Sequence, residues 1–71
     1  MNTFNPKKLL NSKWTAVQPT DREKHFIIPE VEYDDEGHIL SCSIEAVLSR
    51  KIRALKWKEL EDPLVWKQGW K

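Results

Sequence analysis

Residues 25–49, "HFIIPEVEYDDEGHILSCSIEAVLS", constrain the fold more than any other part of the chain. Two apolar-rich runs flank "DDEG", where Gly37 is free to take the positive φ of a tight hairpin. With the loop at 34–37, Tyr33 faces His38 and the numbers of paired residues sum to 71. Side chains alternate between faces along a strand. One face then collects Ile27, Val31 and Tyr33 against Leu40, Ile44, Ala46 and Leu48. The other collects Glu30 and Glu32 against Ser41, Ser43 and Glu45. A slip of one residue would mix the two sets, so the pattern argues for an antiparallel pair. Phe26, Ile28, Ile39 and Val47 interrupt the polar face, which implies strong curvature or a second element packed near the base. Pro29 removes a ladder donor and marks an edge position or a bulge.

The flanks extend the sheet. "SKWTAV" (12–17) mixes β-branched and aromatic residues up to Pro19 and reads as a first strand, with "PTDREK" (19–24) as a polar loop. "KIRALKW" (51–57) reads as a third run of strand, although Arg, Ala, Leu and Lys also suit a short amphipathic helix. Near the end, Asp62 is a good N-cap, Pro63 suits a first helical position and Gly69 suits a left-handed C′ residue. These three predict a helix of less than two turns over "PLVWKQ", with Trp70 folding back onto Val65. So short a helix is unstable alone and must dock Leu64, Trp66 and Trp70 on the sheet. Residues 1–10 read as a loose arm with one helical turn at 6–10.

What could hold such a sheet together is limited by size. A core drawn from 71 residues seldom supplies more than about 3–5 kcal/mol, and the lone Cys42 rules out an internal disulfide. Four tryptophans are the alternative staple, since each buried indole removes roughly 150–250 Å² from water. A single cysteine and the mixed character of "MNTFNPKKLL" fit a cytoplasmic protein without a membrane span.

Four segments carry a resemblance to known sequences: "NPKKLLNSKWTAV" (5–17), "EKHFII" (23–28), "IEAVLSR" (44–50) and "W-x-x-L-x-D-P-x-x-W-x-x-GW" (57–70). Through them the chain resembles a family of small bacterial tryptophan-rich proteins without an established function (DUF2389-like). The resemblance implies a bacterial cytosolic protein. It brings no catalytic residue with it.

Chemistry has to be argued from the side chains. His25, His38 and Cys42 are the only His and Cys residues. In the register above Cys42 stands about 13 Å from each histidine, at ~3.4 Å per residue, and the two histidines stand farther apart still. A zinc ion needs every ligand within about 2.0–2.3 Å, and a Cys–His catalytic pair must approach within about 3 Å. Neither arrangement is met, and Cys42 reads as a small buried apolar residue. The acids of "EVEYDDE" read as a solvated strand edge and hairpin tip. With glycine only at 37 and 69, there is no phosphate-cradling loop. The expectation is a protein that is not an enzyme, uses no cofactor or metal and turns over no small-molecule substrate.

Binding fits better. "RKIRALKWK" (50–58) holds five basic groups and no acid, whereas 30–36 holds five acids and no base. Lysines also neighbour the indoles at Lys13–Trp14, Lys56–Trp57–Lys58, Trp66–Lys67 and Trp70–Lys71. The candidate surface is therefore Arg50, Lys51, Arg53, Lys56, Trp57, Lys58, Trp66, Lys67 and Trp70. Two partner classes suit it. The first is protein, either another molecule or a second copy paired acid to base about a two-fold axis. The alternative is RNA or single-stranded nucleic acid, in which bases stack on exposed indoles beside basic groups. A third reading makes the lysine stems mere covers for buried indoles. The expected architecture is mainly β, one small domain over 1–71. It is a curved three- to four-stranded antiparallel sheet resembling an SH3-like half-barrel and closed by a short C-terminal helix.

Overall fold

A computed structural model describes all 71 residues. The chain is mainly β. Strands β1 (Lys13–Thr20), β2 (Glu23–Tyr33), β3 (Ile39–Ala46), β4 (Ile52–Leu55) and β5 (Trp66–Gln68) form one antiparallel sheet. Its order is β4-β3-β2-β1-β5, five strands where three or four were expected. The only helical pieces are 3-10 turns at Pro6–Lys8 and Trp57–Glu61. Arg53 on β4 and Trp66 on β5 stand at opposite ends of the strand order yet line one cavity. The sheet therefore curls, and its two end strands approach without joining.

The hairpin of β2 and β3 forms where the sequence placed it, in a different register. Tyr33 pairs with Ile39, Val31 with Cys42, Ile27 with Glu45 and Phe26 with Ala46. The loop takes five residues, Asp34 to His38, because Asp34 organises it. Its Oδ1 accepts from the N–H of Glu36 (2.9 Å) and of His38 (2.8 Å), while its own N–H donates to His38 O (2.9 Å). Gly37 takes the positive φ of 84° that this turn needs. A second shift falls between Ile27 and Glu30, where Pro29 makes the bulge its missing donor foretold.

The Pro29 bulge reassigns the faces at the base of the hairpin, and a further slip between Glu32–Ser41 and Tyr33–Ile39 leaves Leu40 unpaired near its tip. Phe26 and Ile28, expected to interrupt the polar face, are core residues, with Cys42, Ile44 and Ala46 opposite. Ile27 is only half-buried, and Leu40 and Leu48, expected inside, are 62% and 70% exposed. Leu9, Trp14, Leu55, Leu60 and Trp66 complete the core.

Beyond the hairpin, β1 and β2 run longer than "PTDREK" suggested. Asp21 and Arg22 alone make the turn, both with positive φ (54° and 63°), the twist that two-residue hairpins favour. Residues 52–55 are strand, which settles the choice left open for 51–57, and the 3-10 turn begins at Trp57.

The C-terminal helix does not form. Asp62 caps a single turn: its Oδ1 accepts from Leu64 N (2.9 Å), and its carbonyl accepts from Val65 N and Trp66 N. The chain then runs along β1, pairing Trp66 with Ala16, Lys67 with Thr15 and Gln68 with Trp14. Less than two turns of helix would leave most backbone groups unpaired, whereas a strand beside β1 satisfies them and still buries Trp66. Gly69 does adopt positive φ (79°), ending a strand rather than a helix. Trp70, expected on Val65, instead crosses the outward face. It stacks on His25 (5.7 Å between rings), with Lys13 Nζ 4.7 Å from its centre and its Nε1 donating to Phe26 O.

Residues 1–10 are no loose arm. Leu9 is buried, and Phe4 meets Trp14 and Trp57 edge-on. Tyr33 donates its hydroxyl to Pro6 O, and Asn2 Nδ2 donates to the carbonyls of Leu60 (3.0 Å) and Trp66 (2.6 Å). The packing explains the difference: an open curled sheet leaves one end of its core uncovered, and Phe4 and Leu9 are the nearest apolar side chains.

A candidate binding edge on the fourth strand

Antiparallel pairing alternates, so every second residue of an outer strand points its N–H and C=O away from its neighbour. On β4, Lys51 O accepts from Ala46 N, and the pairs two and four residues on are Arg53–Ile44 and Leu55–Cys42. That phase leaves the backbone groups of Ile52 and Ala54 aimed outward, with no bond to any other part of the chain. The other end of the sheet is guarded. On β5 the phase turns Trp66 and Gln68 outward, but Trp66 N donates to Asp62 O and Trp66 O accepts from Asn2. Gln68 Nε2 donates to Thr3 O, which holds the N-terminal residues alongside. The β5 edge is bonded by the protein itself at Trp66, with the Gln68 side chain tied to Thr3, whereas the β4 edge carries no such bond.

Two recesses flank the uncovered edge. At the far end of β4, Leu40, Ser41, Cys42, Ala54, Leu55, Lys56, Trp57 and Lys58 line a groove of about 390 Å³. Apart from Ser41 its walls are apolar or basic, without an acid. Lys58 Nζ lies 5.7 Å from the centre of the half-buried Trp57 ring. Cys42 closes the inner end; burial pushes its thiol up, and its Sγ lies 3.7 Å from Leu55 O. Such a thiol stays protonated and weakly nucleophilic. Towards the start of β4, Lys51, Ile52 and Arg53 share a recess with Asp21, Glu23, Phe26, Ile44 and Ala46. Arg53 also reaches the seam between the end strands, beside Glu59, Phe26 and Trp66. Charge there is mixed.

The sequence-derived surface is thus divided. Lys51, Arg53, Lys56, Trp57 and Lys58 do gather along one edge. Arg50 sits at the turn before it, Nη1 3.4 Å from Glu45 Oε2. Trp66 does not belong to a surface: it is 3% exposed, packs edge-on against Phe26 (5.1 Å), and its Nε1 has no hydrogen-bond partner. Lys67 and Trp70 lie with the opposite end strand, Lys67 pairing with Thr15 and Trp70 covering the outward side of β1 and β2. Leu40 and Ala54, which help to form the groove, were missed. The assumed register sent Leu40 into the core, and Ala54 carries no signal beyond its place on a strand. No three His, Cys, Asp or Glu side chains gather as a metal ion would require, and no helix is long and apolar enough to cross a membrane.

Fold and edge together define a small open antiparallel sheet with one strand side left for pairing. Residues 12–71 match the family described as Tryptophan-rich protein (DUF2389), and the chain belongs to that family. No curated protein and no solved structure matches it.

Proposed function

We propose that this chain is a non-enzymatic binding module that holds another protein by adding one of the partner's extended segments to the open edge of β4. The single observation that carries the reading is the unpaired, outward backbone of Ile52 and Ala54. Exposed strand edges are a hazard that proteins commonly cover, and here the chain bonds the β5 edge at Trp66 but places nothing on β4. Strand addition takes affinity from the main chain and specificity from flanking recesses, which β4 has on both sides.

A second copy meets like-charge opposition when the pairing is centred on Arg53. Two-fold pairing that matches Ile52 to the partner copy's Ala54 would set Arg53 opposite Arg53, and like charges directly opposed destabilise a sheet. Stacking of nucleic-acid bases also has less support. Trp14 and Trp66 are buried, Lys58 lies over the half-buried Trp57, and Trp70, although 43% exposed, already has His25 stacked on it and Lys13 Nζ over its ring. The reading extends to a bacterial cytoplasmic setting, supported by the family resemblance and by a lone cysteine kept buried and reduced.

Peptides selected from a displayed random library test the proposal through their own backbones. N-methylation of alternate residues should abolish binding in one phase and spare it in the other, because only one set of N–H groups faces β4. Equal tolerance of both phases would refute strand addition.

A further inference from the structure

The partner's chemistry can be read one step further, resting on strand addition as just proposed. We infer that the segment received at β4 is acidic and carries one large apolar side chain as its anchor. The groove beside Ala54 supplies the grounds. At about 390 Å³ it lies at the small end of ligand-sized cavities (~300–1,000 Å³), room for a side chain rather than a folded element. Leu40, Leu55 and Trp57 give it apolar walls, and the 62% exposure of Leu40 is apolar surface that a bound side chain would cover. Lys56 and Lys58 stand at the same groove, and neither forms an ion pair with any acid of the chain. Carboxylates flanking the anchor would meet these two ammonium groups.

The other end of β4 does not impose this preference. There Lys51 and Arg53 share their recesses with Asp21, Glu23 and Glu59, so local charge nearly cancels. The acids that matter in the partner therefore lie around its anchor, at the Ala54 end. A strand that reaches from Ile52 to the groove spans five to seven residues at ~3.4 Å each, so the recognised element is short.

The test uses the full chain and three synthetic heptapeptides alternating Val or Leu with Glu, with Gln or with Lys. Fluorescence anisotropy should show the Glu peptide binding at least tenfold tighter than the Gln peptide and the Lys peptide not at all. That advantage should shrink as salt rises. The double variant Lys56→Glu/Lys58→Glu should reverse the order of the Glu and Lys peptides, with an unchanged melting temperature showing that the fold survives. Equal binding of the Glu and Gln peptides would overturn the acidic partner while leaving strand addition intact. Binding of none of the three overturns both. Salt-sensitive binding of an oligothymidylate in place of any peptide would transfer the site to nucleic acid.

Discussion

Asp34 shows how much one side chain can decide. Its carboxylate accepts from two backbone N–H groups and lies 3.2 Å from His38 Nδ1. The bond from the His38 backbone N–H does most to hold its pKa below the free value of 3.8, assisted by the Glu36 N–H and the His38 ring. The sign follows directly. A carboxylate whose folded pKa is depressed adds stability above its unfolded pKa and loses it as pH falls through the folded value. Unfolding measured from neutral pH to below 3.8 should therefore show an acid loss that Asp34→Asn lacks, since the amide does not titrate there. An identical acid profile for the two proteins would mean that the loop is held by something else. Asp34 is also where the sequence reading went astray. "DDEG" announces a turn, but nothing in the four letters says that the first aspartate bonds two residues ahead and four residues ahead. That capacity lengthens the loop to His38, and just beyond it the pairing slips between Glu32–Ser41 and Tyr33–Ile39, leaving Leu40 as the extra residue outside the core.

Among the elements, those with period-two patterning were legible: the hairpin, the first strand and the strand at 52–55 all stand within a few residues of where alternation put them. The bulge at Pro29 was legible too, because its cause is local. What could not be read was the fate of 62–70, where cap residues for a helix serve equally for one turn and a strand. The choice belongs to β1, whose outer side is otherwise bare, and no local signal reports that. The fifth strand is nonetheless the fastener. Burying the Trp66 indole contributes on the order of 4–6 kcal/mol from roughly 150–250 Å² of surface. A domain this small has about 3–5 kcal/mol in all. Removing residues 66–71 should therefore abolish the cooperative thermal transition, followed by far-ultraviolet circular dichroism. A transition kept at the same temperature would show that the sheet stands without its end strand.

Across the whole molecule, the residues that frame the open edge of β4 come from distant parts of the chain, which is why the residues grouped by composition are not grouped in space. Lys56, Trp57 and Lys58 announced themselves by composition. Trp66 and Trp70 share that composition and yet are, respectively, a core residue and a cover for the outward face. The N-terminal residues matter at this scale as well. Phe4 touches Trp14 and Trp57 edge-on, at 5.7 and 6.4 Å between ring centres. Each such pair contributes ~0.5–1.5 kcal/mol beyond the area it buries. Phe4→Ala should thus cost about 2 kcal/mol and shift tryptophan emission to the red; an unchanged melting temperature and spectrum would mean that the first residues do not hold Trp57 in place.

Asn2 and Thr3 bond along the β5 flank while the β4 flank lies bare, so under strand addition the two sides of the sheet would not be equivalent ports. A guest strand on β4 would leave the far side narrowed by the N-terminal residues at Trp66 and Gln68, which hinders copies from lining up into a fibre.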